Sequence, residues 1–352
     1  MKPVVANTRL LATMKRLALT IVIVILLGVL TSAAYNALYV HHLARQHPVP
    51  GKFYSVNGYQ MHLYCTGTGS PTVVLEGGRG AEWLYWQKVQ PELARTTRVC
   101  SYDRAGIGWS DPQPGPRDAL HIAQQLHSLL QQAGETGPLI LAGASAGGFY
   151  VREYVASYPN EIAGVVFIDA SVPEQSDALP DANDSEAKRK QRHRMATVEW
   201  LRETSGWARL SGHCKGEVER GLEAYMDLAT AEACRPSFSA SWLGEWDDFW
   251  RSGEEAAQAP CCGNLPLLVI SQDPDRPKPG WDAHSIAANP IWAGLQENLK
   301  KLSPHSRRII ARKSGHHIMI DRPDVIISNV REMVLNIRNK TDDPGYGTTV
   351  LQ

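Results

Sequence analysis

Apolar and polar positions along this chain fall into three textures. Residues 17–40 carry no charge, and 17–30 are almost wholly aliphatic. From 53 to 170, short unbroken apolar runs alternate with stretches whose apolar positions recur at helical spacing. From 171 to 263 no apolar run of strand length occurs, and the alternation resumes at 264. The runs at 71–76, 98–103, 138–142, 163–169, 265–270 and 308–311 read as buried strands, because a strand covered on both faces needs no polar alternation. Ahead of them, 53–56 and 60–65 flank Asn57-Gly58, a two-residue hairpin signal. Helices are expected at 83–94, over Leu120, Ile122, Ala123, Leu126, Leu129 and Leu130 with Gly134 as the stop, at 147–158, at 291–302 and at 323–339. Strands alternating with helices predict an α/β fold, a doubly wound and mostly parallel sheet covered on both faces.

The first texture predicts a membrane anchor. Its 24 residues, at about 1.5 Å each, cross a hydrocarbon layer of roughly 30 Å. Lys2, Arg9, Lys15 and Arg16 precede it, which keeps the amino end in the cytoplasm and exports the rest. Tyr35 and Tyr39 then fall near the outer interface. A cleaved signal peptide, cut near Thr31-Ser32-Ala33-Ala34, is the competing reading. The uncharged run continues through Leu38, Tyr39 and Val40, which favours the anchor.

The expected organisation is a cytoplasmic segment (1–16), a transmembrane anchor (17–40), a tether (41–52), a first part of the core (53–170), a helical cap (171–263), a second part of the core (264–339) and a loose polar tail (340–352). The cap is charged around 181–194 and carries Trp200, Trp207, Trp242, Trp246 and Trp250, candidates for an apolar cleft.

Composition narrows the function. At 352 residues the chain can bury a full core, and 36 basic residues balance 36 acidic ones, so nothing points to nucleic acid. Six cysteines are too few for a disulfide scaffold, and their spacing is not that of a zinc site. Free thiols, or a bridge among Cys214, Cys234 and the Cys261-Cys262 pair in an oxidising compartment, both remain open.

The chemistry gathers at 138–148, where an apolar run ends in Gly143-Ala144-Ser145-Ala146-Gly147 and a helix-like segment follows. A strand-to-helix turn of this kind lifts the serine hydroxyl outward, and the two glycines give neighbouring backbone room. Serine needs a base, and the base an orienting carboxylate. Later strands run into Asp273 and Asp275, then into Gly315-His316-His317.

Residues 53–339 resemble an α/β-hydrolase, most like the capped esterase, lipase and proline iminopeptidase branch. The resemblance rests on Leu75-Glu76-Gly77-Gly78, on the stretch from Tyr102 through Asp103, Arg104, Gly106, Gly108 and Trp109 to Asp111, on Gly-x-Ser-x-Gly, and on Gly315-His316 with Pro323 beyond. It implies Ser145 as nucleophile and His316 as base, with His317 a packed or solvated neighbour. Relatives carry Gly-x-x-Asp after the strand at 265–270; Gln272 takes the glycine position, which makes Asp275 the match for the acid. Asp273 and Asp169 are the alternatives. The usual His-Gly of the oxyanion loop is Glu76-Gly77 here, so the hole is expected from the N–H groups of Gly78 and Ala146, with Glu76 unplaced. Asp103 and Arg104 read as a structural turn. Trp83 and Trp86 are expected to wall the pocket. Glu245, Asp247 and Asp248 read as solvated charge, or as a holder for a substrate amine in an aminopeptidase.

The expectation is a membrane-anchored serine hydrolase of an apolar carboxylic ester, its catalytic part on the outer or periplasmic side. No metal or organic cofactor is implied, and oligomeric state is not readable. An acyltransferase, an aminopeptidase and a non-catalytic tethered binding protein are the alternatives.

Overall fold

The structure, a computed structural model, describes residues 5–179, 184–216, 218, 222–276 and 283–352. Among the described residues nine strands form one sheet: β1 (Lys52–Val56), β2 (Tyr59–Thr66), β3 (Thr72–Glu76), β4 (Val99–Tyr102), β5 (Leu139–Ala144), β6 (Ile162–Ile168), β7 (Leu267–Gln272), β8 (Ser306–Ala311) and β9 (Thr349–Leu351). Their order is β1-β2-β4-β3-β5-β6-β7-β8-β9. β2 pairs antiparallel with both β1 and β4, and every other pairing is parallel. β5, which delivers Ser145, is thus the middle strand, and all its residues are buried. Asn57 and Gly58 both take positive φ, +54° and +85°, as the two-residue hairpin requires.

The helices are α1 (Val5–Gln46), α2 (Gln90–Leu93), α3 (Ala119–Ala133), α4 (Gly147–Ser157), α5 (Gln175–Ala178), α6 (Glu186–Thr204), α7 (Trp207–Leu210), α8 (Met226–Glu232), α9 (Pro236–Asp247), α10 (Phe249–Gln258), α11 (Ala283–Asn298), α12 (Ile318–Asp321) and α13 (Pro323–Asn339). Leu126, Leu129, Tyr154, Val155 and Leu295 from α3, α4 and α11 close one face of the sheet. Leu93, Val325, Ile326 and Val330 from α2 and α13 close the other. Gly134 takes φ +77° and stops α3 as expected. The described residues between β6 and β7 hold helices α5 to α10 and no strand.

Three expectations need correction. The helix at 83–94 is a 3-10 turn (Trp83–Trp86) followed by the one-turn α2, because Pro91 starts a new helix there. α1 runs on to Gln46, so the connection to β1 is shorter than the 41–52 tether. The tail at 340–352 is not loose: β9 adds to β8 in parallel, with Arg308, Ile309 and Ile310 opposite Thr349, Val350 and Leu351.

Leu10–Gln46 is long and apolar enough to cross a membrane, and the exposed side chains of Leu17, Ile21, Val24, Leu27 and Leu30 line it. Its carboxyl-terminal part is clamped to the helical insertion. Asn36 Nδ2 donates to the Glu203 carbonyl (3.2 Å), and Arg209 Nε donates to Asn36 Oδ1 (2.6 Å). Gly206, at φ +71°, meets the Ser32 carbonyl so closely that a Cβ there would lie 2.2 Å from it. Only glycine allows that approach. The cysteines pair as Cys65–Cys100, Cys214–Cys234 and Cys261–Cys262; the first bridges register partners on β2 and β4.

Candidate active site

Ser145 sits between β5 and α4 at φ +52°, a left-handed position unusual for a residue with a side chain. Its N–H donates to the Ile168 carbonyl (3.2 Å), and its own carbonyl accepts from Gly148 (2.9 Å) and Ser171 (2.7 Å). A Cβ on Gly143 would come 2.5 Å from the Gly147 carbonyl, and one on Gly147 would come 2.8 Å from that of Glu76. The spacing of the two glycines is therefore a packing requirement of the turn. Backbone strain of this kind persists only where surrounding contacts over-determine it.

Ser145 lines a cavity of about 670 Å³ together with Gly78, Arg79, His316 and His317. Gly78 faces the serine: a Cβ added there would lie 3.0 Å from Ser145 Cβ and 3.6 Å from Oγ. His317 packs edge-on against Tyr85, with ring centroids 5.4 Å apart.

The carboxylate that meets His316 is not the expected Asp275. His316 Nδ1 lies 2.6 Å from Asp169 Oδ2, across 147 residues of sequence. Asp169 follows β6, is fully buried and takes φ +43°, with its N–H on the Ile270 carbonyl (2.7 Å). Its other oxygen, Oδ1, accepts from the Gln272 N–H (3.1 Å) and from Trp292 Nε1 (2.9 Å). Asp275 instead stands exposed and takes Arg312 (2.7 Å). Asp273 is buried, but it holds its own turn: Oδ1 accepts from the Asp275 N–H (3.1 Å) and Oδ2 from the Lys313 N–H (2.8 Å). Both β7-loop carboxylates are thus engaged away from the imidazole.

Glu76, unplaced by sequence, anchors the loop beside the serine. Arg104 Nη1 donates to Glu76 Oε1 (2.6 Å) and to the Gly77 carbonyl (3.1 Å), and Nη2 donates to the Gly78 carbonyl (2.6 Å). Arg104 also forks onto Glu245 (2.7 and 3.0 Å), whose Oε2 accepts the Gly80 N–H (2.8 Å). Tyr102 donates its hydroxyl to the second Glu76 oxygen. Glu245 is therefore not solvated charge; it is fully buried, and it joins the cap to the loop. Burial pushes the Glu76 carboxyl up, against the pull of Arg104 and Tyr102. Burial alone would weaken the Arg104 proton, but Glu245 and Glu76 outweigh it and hold the guanidinium charged well above its ordinary range. Asp103 is structural as expected, accepting the N–H groups of Trp83 (2.8 Å) and Trp109 (3.1 Å) and facing His62 (2.8 Å).

The aromatic expectations fail for a packing reason. Trp83 and Trp86 are buried beneath the loop, and Leu84 and Tyr85 line the cavity in their place. None of the five cap tryptophans belongs to the described lining; Phe238 does. Trp246 is covered by the Arg79 guanidinium, 3.3 Å from the ring centroid, and Trp242 packs beside Gly80. Sequence reasoning also missed Glu232 on α8, which lines the cavity with both carboxyl oxygens buried beside the Glu82 carboxyl and the Trp83 indole. Burial and the neighbouring Glu82 carboxyl push its pKa far up. A glutamate in a polar helix gives no sequence signal of this.

Residues 71–208 match the family model described as the alpha/beta hydrolase fold. An AB hydrolase superfamily protein of Gibberella zeae is 26% identical over 290 residues, covering 76% of this chain and 87% of that protein. An uncharacterized protein of Schizosaccharomyces pombe is 33% identical over 151 residues, 34% of this chain but only 28% of that protein. Among solved structures, a thermophilic esterase from Thermogutta terrifontis superposes with a TM-score of 0.57 at 22% identity, covering 82% of this chain and 98% of the esterase. Sheet order, serine turn, family model and solved structure agree: the chain has the α/β-hydrolase fold.

Proposed function

We propose that this chain is a membrane-anchored serine hydrolase cleaving carboxylic esters through an acyl-enzyme. The observation that carries the reading is the meeting, in one cavity, of Ser145 on its strained turn with His316, whose far nitrogen is held by Asp169. Ser145 Oγ attacks the ester carbonyl as His316 Nε2 takes its proton. Asp169 accepts from Nδ1, fixes the tautomer and stabilises the imidazolium. The N–H groups of Gly78 and Ala146 receive the oxyanion, and the Arg104 clasp on the Gly77 and Gly78 carbonyls keeps that loop from moving. His316 returns the proton to the leaving alcohol, and water then repeats the cycle on the acyl-serine. These steps use only side chains and backbone.

α1 spans the membrane, with the catalytic part on the outer side. Three disulfides support that orientation, because they persist in oxidising compartments. The test is a fluorophosphonate probe on the full chain: wild type labels and Ser145→Ala does not. Equal labelling of the two would sink the assignment.

One observation favours a second reading. Glu232 lines the cavity with a buried carboxyl that burial and Glu82 push toward its protonated form, and a substrate ammonium bound beside it would restore the charge. Turnover of aminoacyl naphthylamides faster than of p-nitrophenyl esters would favour an aminopeptidase.

A further inference from the structure

The helical insertion carries an apolar face that no described residue covers. Met195, Val198 and Leu201, at i, i+3 and i+6 on α6, are 57, 40 and 55% exposed; Trp207 and Leu210 on α7 are 60 and 54% exposed. Such spacing puts each set on one side of its helix. A folded protein has no reason to leave a tryptophan and four other apolar side chains in water on neighbouring helices, so a face of this kind marks an interaction site.

Its place identifies the occupant. Trp207 and Leu210 flank Gly206 and Arg209, which touch Ser32 and Asn36 of α1, and Leu201 lies within a turn of Glu203, whose carbonyl holds Asn36. Counting about 20 residues at roughly 1.5 Å each from Leu17 brings the upper edge of a 30 Å hydrocarbon layer to Asn36. The exposed face therefore begins at the level where α1 leaves the lipid. Tryptophan prefers that boundary, where an apolar ring and a polar N–H are both satisfied. The first half of α6 is basic, and Arg189 and Arg194 are exposed on it, suited to lipid phosphates. Continuity with a membrane-crossing helix, level and chemistry all select the same partner.

We infer that the α6–α7 face lies in the outer headgroup layer of the bilayer, so that the cap docks on the membrane as well as being tethered to it. The inference rests on the proposed anchor and deepens the ester reading. Glu203, His213, Lys215 and Gly216, at the end of α6 and just beyond α7, line the cavity that holds Ser145. The docked face and the cavity wall are thus the same piece of chain, and the substrate class becomes esters dissolved in the bilayer.

The experiment uses the full chain in phosphatidylcholine nanodiscs whose acyl chains are brominated near the headgroup. α1 contains no tryptophan, and the quenched component that disappears in Trp207→Phe is assigned to α7. The expected result is a quenched component in wild type that Trp207→Phe lacks. In parallel, a Leu201→Gln, Trp207→Gln, Leu210→Gln variant should hydrolyse p-nitrophenyl acetate within twofold of wild type and a long-chain ester embedded in the disc at least tenfold more slowly. Equal quenching of wild type and Trp207→Phe overturns the docking, and so do equal rates of all variants on the embedded ester. If the triple variant loses both activities alike, the quenching result decides. Alkaline carbonate separates the two ideas: a chain that stays in the membrane without quenching keeps its anchor and loses the docking, whereas a chain released by carbonate loses both.

Discussion

The loops after β6 and β7 each bring an aspartate to the carboxyl edge of the same sheet, and only one reaches the imidazole. Asp169 emerges fully buried, with one carboxyl oxygen held by Gln272 and Trp292 and the other left for His316. Asp275 emerges into solvent and pairs with Arg312. An exposed pair of that sort contributes little, because water screens it. A buried carboxylate fixed by neutral donors keeps its remaining oxygen for the one imidazole it faces. The difference teaches that a buried carboxylate with one oxygen left uncommitted, and not position in the chain or burial alone, meets the histidine, since Asp273 is buried too but has both oxygens engaged in its own turn.

Exchanging the two acids in turn gives the largest effect. Asp169→Asn should lower kcat for an ester by on the order of 10³–10⁴, as expected when the imidazole loses its orienting anion, while Asp275→Asn should stay within twofold. Equal losses for both, measured with the same ester, would break the comparison.

Arg104→Met comes next. It leaves the buried Glu76 and Glu245 without their cation, and stability in urea should fall by about 3–5 kcal/mol. An unchanged denaturation midpoint would mean that the loop does not depend on the clasp.

Trp292→Phe sharpens the same contrast at lower cost, removing one donor to Asp169 Oδ1. A hydrogen bond to a carboxylate contributes about 1.5–3 kcal/mol, so kcat should drop roughly tenfold or somewhat more with KM little changed. A rise in KM alone would point to a pocket role in place of positioning.

The smallest effect asks whether burial also rules a cap carboxylate. Burial pushes Glu203 from the ordinary 4.5 up to about 7. The folded chain then holds a proton that the unfolded chain has released, so stability is lost as pH rises through that window. Glu203→Gln should flatten the profile between those limits and match wild type below them, read from urea midpoints at several pH values. A profile identical to wild type would remove Glu203 from the ledger of buried acids.

Much of the fold was legible in sequence. The runs ending at Glu76, Ala144, Ile168 and Ile270 announce strands because each must be apolar on both faces, and Asn57-Gly58 announces its hairpin because few residues accept two positive φ values in a row. Ser145 was legible for the same local reason, the glycines on either side recording a close backbone approach. The tail was not: three residues joining an edge strand carry too short a pattern to distinguish from coil.

Local pattern by itself determined strand, turn, serine and apolar helix, since each is enforced by neighbours a few residues away. Tertiary structure alone decided that Asp169 takes His316, that Glu76 and Glu245 share Arg104, and that Trp83 and Trp86 are buried outside the cavity lining. Those outcomes depend on which side chains lose water together, and partners separated by 28 to 147 residues leave no trace of that in the order of the chain.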